Sequence, residues 1–120
     1  MGVEEFISSI EKITINSELS SKVEEEYHAE LSEYVRKILS FDANGYFFGD
    51  NKRILSINEI LTADDELHVN FKQLKLVPIF DTGDNDFIVY SYEDDIWKLF
   101  NIVDRIEFHQ SPNLSELLLI

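Results

Sequence analysis

Hydrophobic positions change period twice along this chain. Val3, Phe6, Ile7, Ile10 and Ile13 recur three or four apart, which predicts a first amphipathic helix of about three turns. Asn16-Ser17 interrupts the pattern. Ser17 or Ser21 is placed to cap a second helix, and Ser21 with Glu24 matches a capping box. Leu19, Val23, Tyr27, Leu31, Tyr34, Val35 and Ile38 keep the helical spacing, so one helix is expected to run on to Asp42-Ala43-Asn44-Gly45, where Asn and Gly favour an end. Glu24, Glu25, Glu26, Glu30 and Glu33 mostly occupy the other face, as solvated acids do.

Beyond Gly45 the period shortens. Tyr46-Phe47-Phe48 and Arg53-Ile54-Leu55-Ser56 predict short strands about a turn at residues 49–52. Ser56 with Glu59 three residues later predicts a capped short helix. Leu67 to Phe71, Leu76 to Phe80, Phe87 to Tyr92 and Ile96 to Phe100 are rich in branched and aromatic residues and read as strands, with a further extended piece at Ile106 to Phe108. Pro78 lacks an amide donor, so its strand is expected at an edge or locally irregular. Ser111-Pro112-Asn113 opens a last helix, Leu114 to Leu118. The expected fold class is α+β: an antiparallel β meander of about four to six strands flanked by N-terminal helices, a short middle helix and a C-terminal helix, with the helices on one face.

At 120 residues, 44% of them hydrophobic, residues 1–120 are expected to form a single domain with a real core. Ten basic residues against 24 acidic ones leave a net charge of −14, which opposes direct nucleic-acid binding. No cysteine is present, so disulfides, thiolate metal sites and cysteine nucleophiles are excluded. Met1 to Glu5 lacks the basic and apolar regions of a secretory signal, and no apolar run nears the roughly 18–20 residues that span a bilayer. The expectation is a cytoplasmic protein that does not insert into membranes.

Candidate chemistry narrows quickly. Asp81, Asp84 and Asp86 crowd one short stretch, but Gly83 precedes two of them and the alternating spacing of a calcium loop is missing. His28, His68 and His109 are scattered and form no helical metal pair. There is no nucleophile elbow and no phosphate-binding glycine loop. No metal, no cofactor and no catalytic residue is expected. What remains is charge: Asp81, Asp84, Asp86, Glu93, Asp94 and Asp95 contribute −6 with no base among them, and Tyr92 and Trp97 lie close in sequence. Aromatic groups beside concentrated charge are the kind that anchor a basic protein partner, and these eight residues are the candidate binding set.

Four segments, taken in order, resemble the SUKH superfamily, which includes a yeast cell-wall synthesis regulator and many bacterial immunity proteins. Leu31-Ser32-Glu33-Tyr34 leads through Ile38-Leu39 to Asn44-Gly45, and Leu55 to Ile60 is similar to that family's Glu-Ile helix. Val77 to Asp84 resembles its strand with a Gly-Asp turn, and Asn113 to Leu118 its closing helix. Together they cover about residues 20 to 118. Ser32 stands where the family has proline, Tyr34 comes one residue early, Tyr46 replaces a second glycine, and the closing phenylalanines are missing. The resemblance implies a non-enzymatic immunity protein that binds and neutralises a cognate, basic toxin effector, often a nuclease, by occluding it. The alternatives are a regulatory protein-interaction domain of the same fold and a small carboxylate-dependent enzyme.

Overall fold

The computed structural model describes residues 2–41, 47–49 and 51–120. Helix α1 spans Val3–Ile10, with Glu4 and Glu5 in its first turn, where the helix dipole favours negative charge, and Phe6 and Ile10 buried. Helix α2 spans Ser17–Tyr27 and α3 spans Glu33–Leu39. Strands β1 (Phe47–Phe48) and β2 (Lys52–Ile54) follow, then helices α4 (Ile57–Leu61), α5 (Ala63–Leu67) and α6 (Phe71–Leu74). Strands β3 (Leu76–Gly83), β4 (Asp86–Ser91), β5 (Ile96–Asn101) and β6 (Ile106–Ser111) precede the last helix, α7 (Leu114–Leu118). The six strands lie in chain order β1-β2-β3-β4-β5-β6, every neighbour antiparallel. The fold is α+β, built on a meander.

Several expectations are corrected. The long helix is broken: His28 takes the left-handed conformation at φ 51° and ends α2. Ser32 then starts α3, its Oγ accepting from the Val35 amide. Glu24 fixes this corner rather than facing water, since one carboxylate oxygen accepts from the Leu31 amide (3.0 Å) and from Arg36 (2.9 Å). The cap of α2 is Asn16, whose side chain accepts from the amides of Glu18 and Leu19, and Ser21 lies inside the helix. The predicted end at residues 42–45, like Tyr46 of the first strand, lies outside the described residues.

The segment Leu67 to Phe71 is not a strand. Residue 67 ends α5, His68 is left-handed at φ 55°, and Phe71 begins α6. Asp64 accepts from the Phe71 amide at 2.9 Å and Asn70 caps the next turn, so side chains take the donors that a strand would have offered to a sheet. Val69 and Phe71 are nonetheless buried, which explains their strand-like composition.

Helices cover both faces of the sheet, not one. Trp97 and Phe100 are three apart on β5, whose ladder with β4 is regular, so they point to opposite faces. On the Trp97 side, Phe80 packs against Phe6 of α1, which stacks on Phe48 at 4.2 Å. On the other side Phe100 meets Phe71 of α6 at 5.7 Å. Strand β3, in the middle, is therefore buried from Leu76 through Phe80, and Pro78 sits at a register shift rather than at an edge. The hydrophobic cluster is continuous and includes Phe6, Ile10, Leu31, Ile38 and Leu117. Among the described residues no helix is long and apolar enough to cross a membrane.

Candidate functional site

The six clustered acids do not form one field. Asp81, Asp84 and Asp86 surround the β3–β4 turn, whereas Glu93, Asp94 and Asp95 make the β4–β5 turn. These turns cap opposite ends of β4, six residues long, and a strand rises about 3.3 Å per residue, so some 17–20 Å separates them. That is about twice the screening length at physiological salt. Each turn acts mainly alone.

At the first turn Gly83 has φ +92°, which suits glycine, and its amide donates to Asp81 at 2.9 Å. Asp81 also faces Arg53 at 3.4 Å across the β2–β3 ladder. Asp86 accepts from the Asn101 amide group at 2.8 Å. Asp84 is exposed and has no partner among the described residues. Beside this turn lies a hollow of about 450 Å³ whose lining includes Arg53, Leu55, Glu59, Glu66, Asp81 and Phe87. One Arg53 nitrogen donates to both oxygens of Glu59, at 2.7 and 2.8 Å. Burial alone would raise the Glu59 carboxyl, but bonds from Arg53 and the Ser56 amide hold it below the usual range. Arg53 in turn is held more firmly protonated, chiefly by its bond to Glu59. A guanidinium satisfied by two carboxylates is poorly placed to receive a phosphate, and a depressed glutamate is shifted away from a general acid's working range.

The second turn is an exposed tip tied to the body. Glu93 pairs with Lys75 at 3.2 Å, Ser91 donates to Asp94 at 3.3 Å, and Tyr90 donates to Asp95 at 2.6 Å. Burial, and then the Asp95 bond, pushes the Tyr90 phenol up to about 12. Tyr92 is half-buried, donates to the Tyr27 carbonyl at 3.4 Å, and has its phenol raised by burial. Trp97 does not join the candidate surface. It is 3% exposed, packed against Tyr90 at 5.0 Å, and belongs to the core because β5 lies between two strands under α7.

Sequence reasoning missed Arg53 and Lys75, the cations that hold Asp81 and Glu93 in place. Each lies 18 or more residues from the acid concerned, beyond any local periodicity. For Arg53 with Glu59 the signal was the capping box itself: a glutamate fixed at a helix start is a ready acceptor. Among the described residues no three His, Asp or Glu side chains gather as they would around a metal ion. Compared with known proteins, the chain matches no family model, no curated protein and no solved structure.

Proposed function

We propose that this chain is a binding domain that neutralises a basic protein partner by covering it, the partner being a cognate toxin effector, often a nuclease, as the SUKH resemblance implies. The observation that carries this reading is the β4–β5 turn, where Glu93, Asp94 and Asp95 are all exposed and all anchored to the body by side-chain contacts. Carboxylates held in place lose less freedom when they meet a partner, and their field steers a basic protein toward the turn. Strand β4 and the Trp97 core form the rigid mount behind it. The three acids at the other end of β4, with Asp84 outermost, extend the negative surface to a partner broad enough to span both turns. Catalysis has no part in this mechanism, and no cofactor is called for.

The test replaces Glu93→Gln, Asp94→Asn and Asp95→Asn together and measures association with the basic protein recovered by pull-down, across a salt series. The amide oxygen that Asp95→Asn leaves in place still accepts from Tyr90, so the turn retains its shape. The expected result is a slower on-rate with a flattened salt dependence, while stability shifts by less than about 0.5 kcal/mol. An unchanged on-rate with an unchanged salt slope overturns the reading.

A further inference from the structure

A second hollow, of about 320 Å³, opens between α1, α3, α7 and the start of β5, and its lining includes Ile7, Tyr34, Asp95, Trp97, Leu114 and Ser115. Its polar groups are largely uncommitted. Trp97 is 3% exposed, yet its indole N–H has no hydrogen-bond acceptor among the described residues. Among those residues the one side-chain donor both sealed from solvent and unbonded is the Arg36 Nε, so the Trp97 N–H keeps access to open space, and this hollow is the space that Trp97 lines. The Tyr34 and Ser115 hydroxyls likewise bond to no described residue. Burial, and then Glu11, raises the Tyr34 phenol, so it stays protonated and able to donate. Asp95 accepts from Tyr90 with one carboxylate oxygen and leaves the other free. Polar groups sheltered from water normally find partners, and a hollow that keeps several of them unpaired suits a ligand that bonds them.

The mix of groups selects the ligand. An anion would meet the Asp95 carboxylate and a chain of net charge −14. An ammonium ion has no lone pair with which to accept from Trp97. A neutral hydroxyl does both, accepting from an indole N–H and donating to a carboxylate or to another hydroxyl. Tyr34, Asp95, Trp97 and Ser115 come from four different segments, which calls for several hydroxyls on one small frame, while Ile7 and Leu114 offer apolar contact to its C–H bonds. The volume lies at the low end of ligand pockets, roughly 300–1,000 Å³, which suits a single ring. We propose that this hollow binds a neutral polyol of monosaccharide size, its hydroxyls accepting from Trp97 and donating to Asp95, with Tyr34 and Ser115 completing the hydrogen bonds around it. This goes beyond the toxin-binding reading, and its test needs no partner protein.

Trp97 is the chain's one tryptophan, so its fluorescence reports on the site directly. The purified chain is titrated with methyl glucoside, methyl galactoside, methyl mannoside and myo-inositol, and separately with acetate, butylammonium and acetamide. At least one of the polyols should shift the Trp97 emission saturably at millimolar concentration, and the anion, the cation and the amide should not. Tyr34→Phe and Ser115→Ala should each raise the half-saturating concentration about three- to tenfold, as the loss of one hydrogen bond does. Their melting temperatures should match the wild type, because neither hydroxyl bonds to a described residue of the protein itself. No saturable shift with any of the polyols overturns the inference. So does polyol binding that both variants leave unchanged, or acetate, butylammonium or acetamide binding as tightly as the polyols.

Discussion

Strands β4 and β6 each have six residues in the same sheet, and their surroundings are opposite. Five of the six in β4 are buried, whereas five of the six in β6 are exposed. Both contain isoleucine and an aromatic ring, so composition does not separate them. Position does: β4 has a strand on either side and helices over both faces, and β6 is the last strand in the order. Edge position alone does not set burial, since Phe48 on the opposite edge strand, β1, is buried under the stacked ring of Phe6; what packs on a strand's faces decides it.

Substitution of matched residues gives the sharpest break of that comparison. Ile88→Ala on β4, fully buried, should cost about 2–5 kcal/mol in denaturant unfolding through lost burial and a cavity. Ile106→Ala on β6 should stay within about 0.5 kcal/mol. Equal effects at the two sites would refute the layered reading.

A smaller effect belongs to the polar side of the interior. Glu59→Gln removes the charged partner of Arg53 and should cost about 1 kcal/mol, a modest value because the pair is partly exposed. Since the folded Glu59 carboxyl lies below its usual 4.5, its contribution is present above pH 4.5 and is lost as the pH falls below it. Acid titration of stability should therefore be flatter in the variant. Identical acid profiles would show that the Arg53–Glu59 pair is not coupled to folding.

Tyr90 gives an alkaline counterpart on β4. A phenol raised from 10 to about 12 adds stability that is complete below pH 10 and lost as the pH rises toward 12. Phenolate absorbance, followed with and without Tyr90→Phe, should show one late-titrating group disappearing in the variant. The smallest expected effect is that of calcium. Micromolar calcium or zinc should leave the melting temperature unchanged, and a large rise would turn one of the acidic turns into a metal site.

The features legible from sequence were those set by neighbours within about four residues. Ser56 and Glu59 form the expected capping box, both bonds present. The last helix runs from Leu114 to Leu118, after Ser111-Pro112-Asn113 as expected although the Asn113 side chain makes no cap bond, and β3, β4 and β5 fall where branched and aromatic residues cluster. The errors came from longer reach. Val69 and Phe71 looked like strand because they are buried, and the Asp64 carboxylate, seven residues back, joins the Asn70 cap in turning that segment into a helix start. Of the candidate surface, the β4–β5 turn was readable as an acidic turn, but its anchoring by Lys75 was not.

By itself the sequence determined a cysteine-free, strongly acidic α+β chain with a meander of strands, because charge, composition and short-range periodicity are local sums. Only the tertiary structure decided that helices cover both faces of the sheet, that six acids close in sequence divide between two ends of one strand, that Trp97 is core, and that Phe108 is exposed. Those outcomes depend on which elements pack beside which. Such contacts join residues tens of positions apart, and the spacing of residues along the chain carries little trace of them.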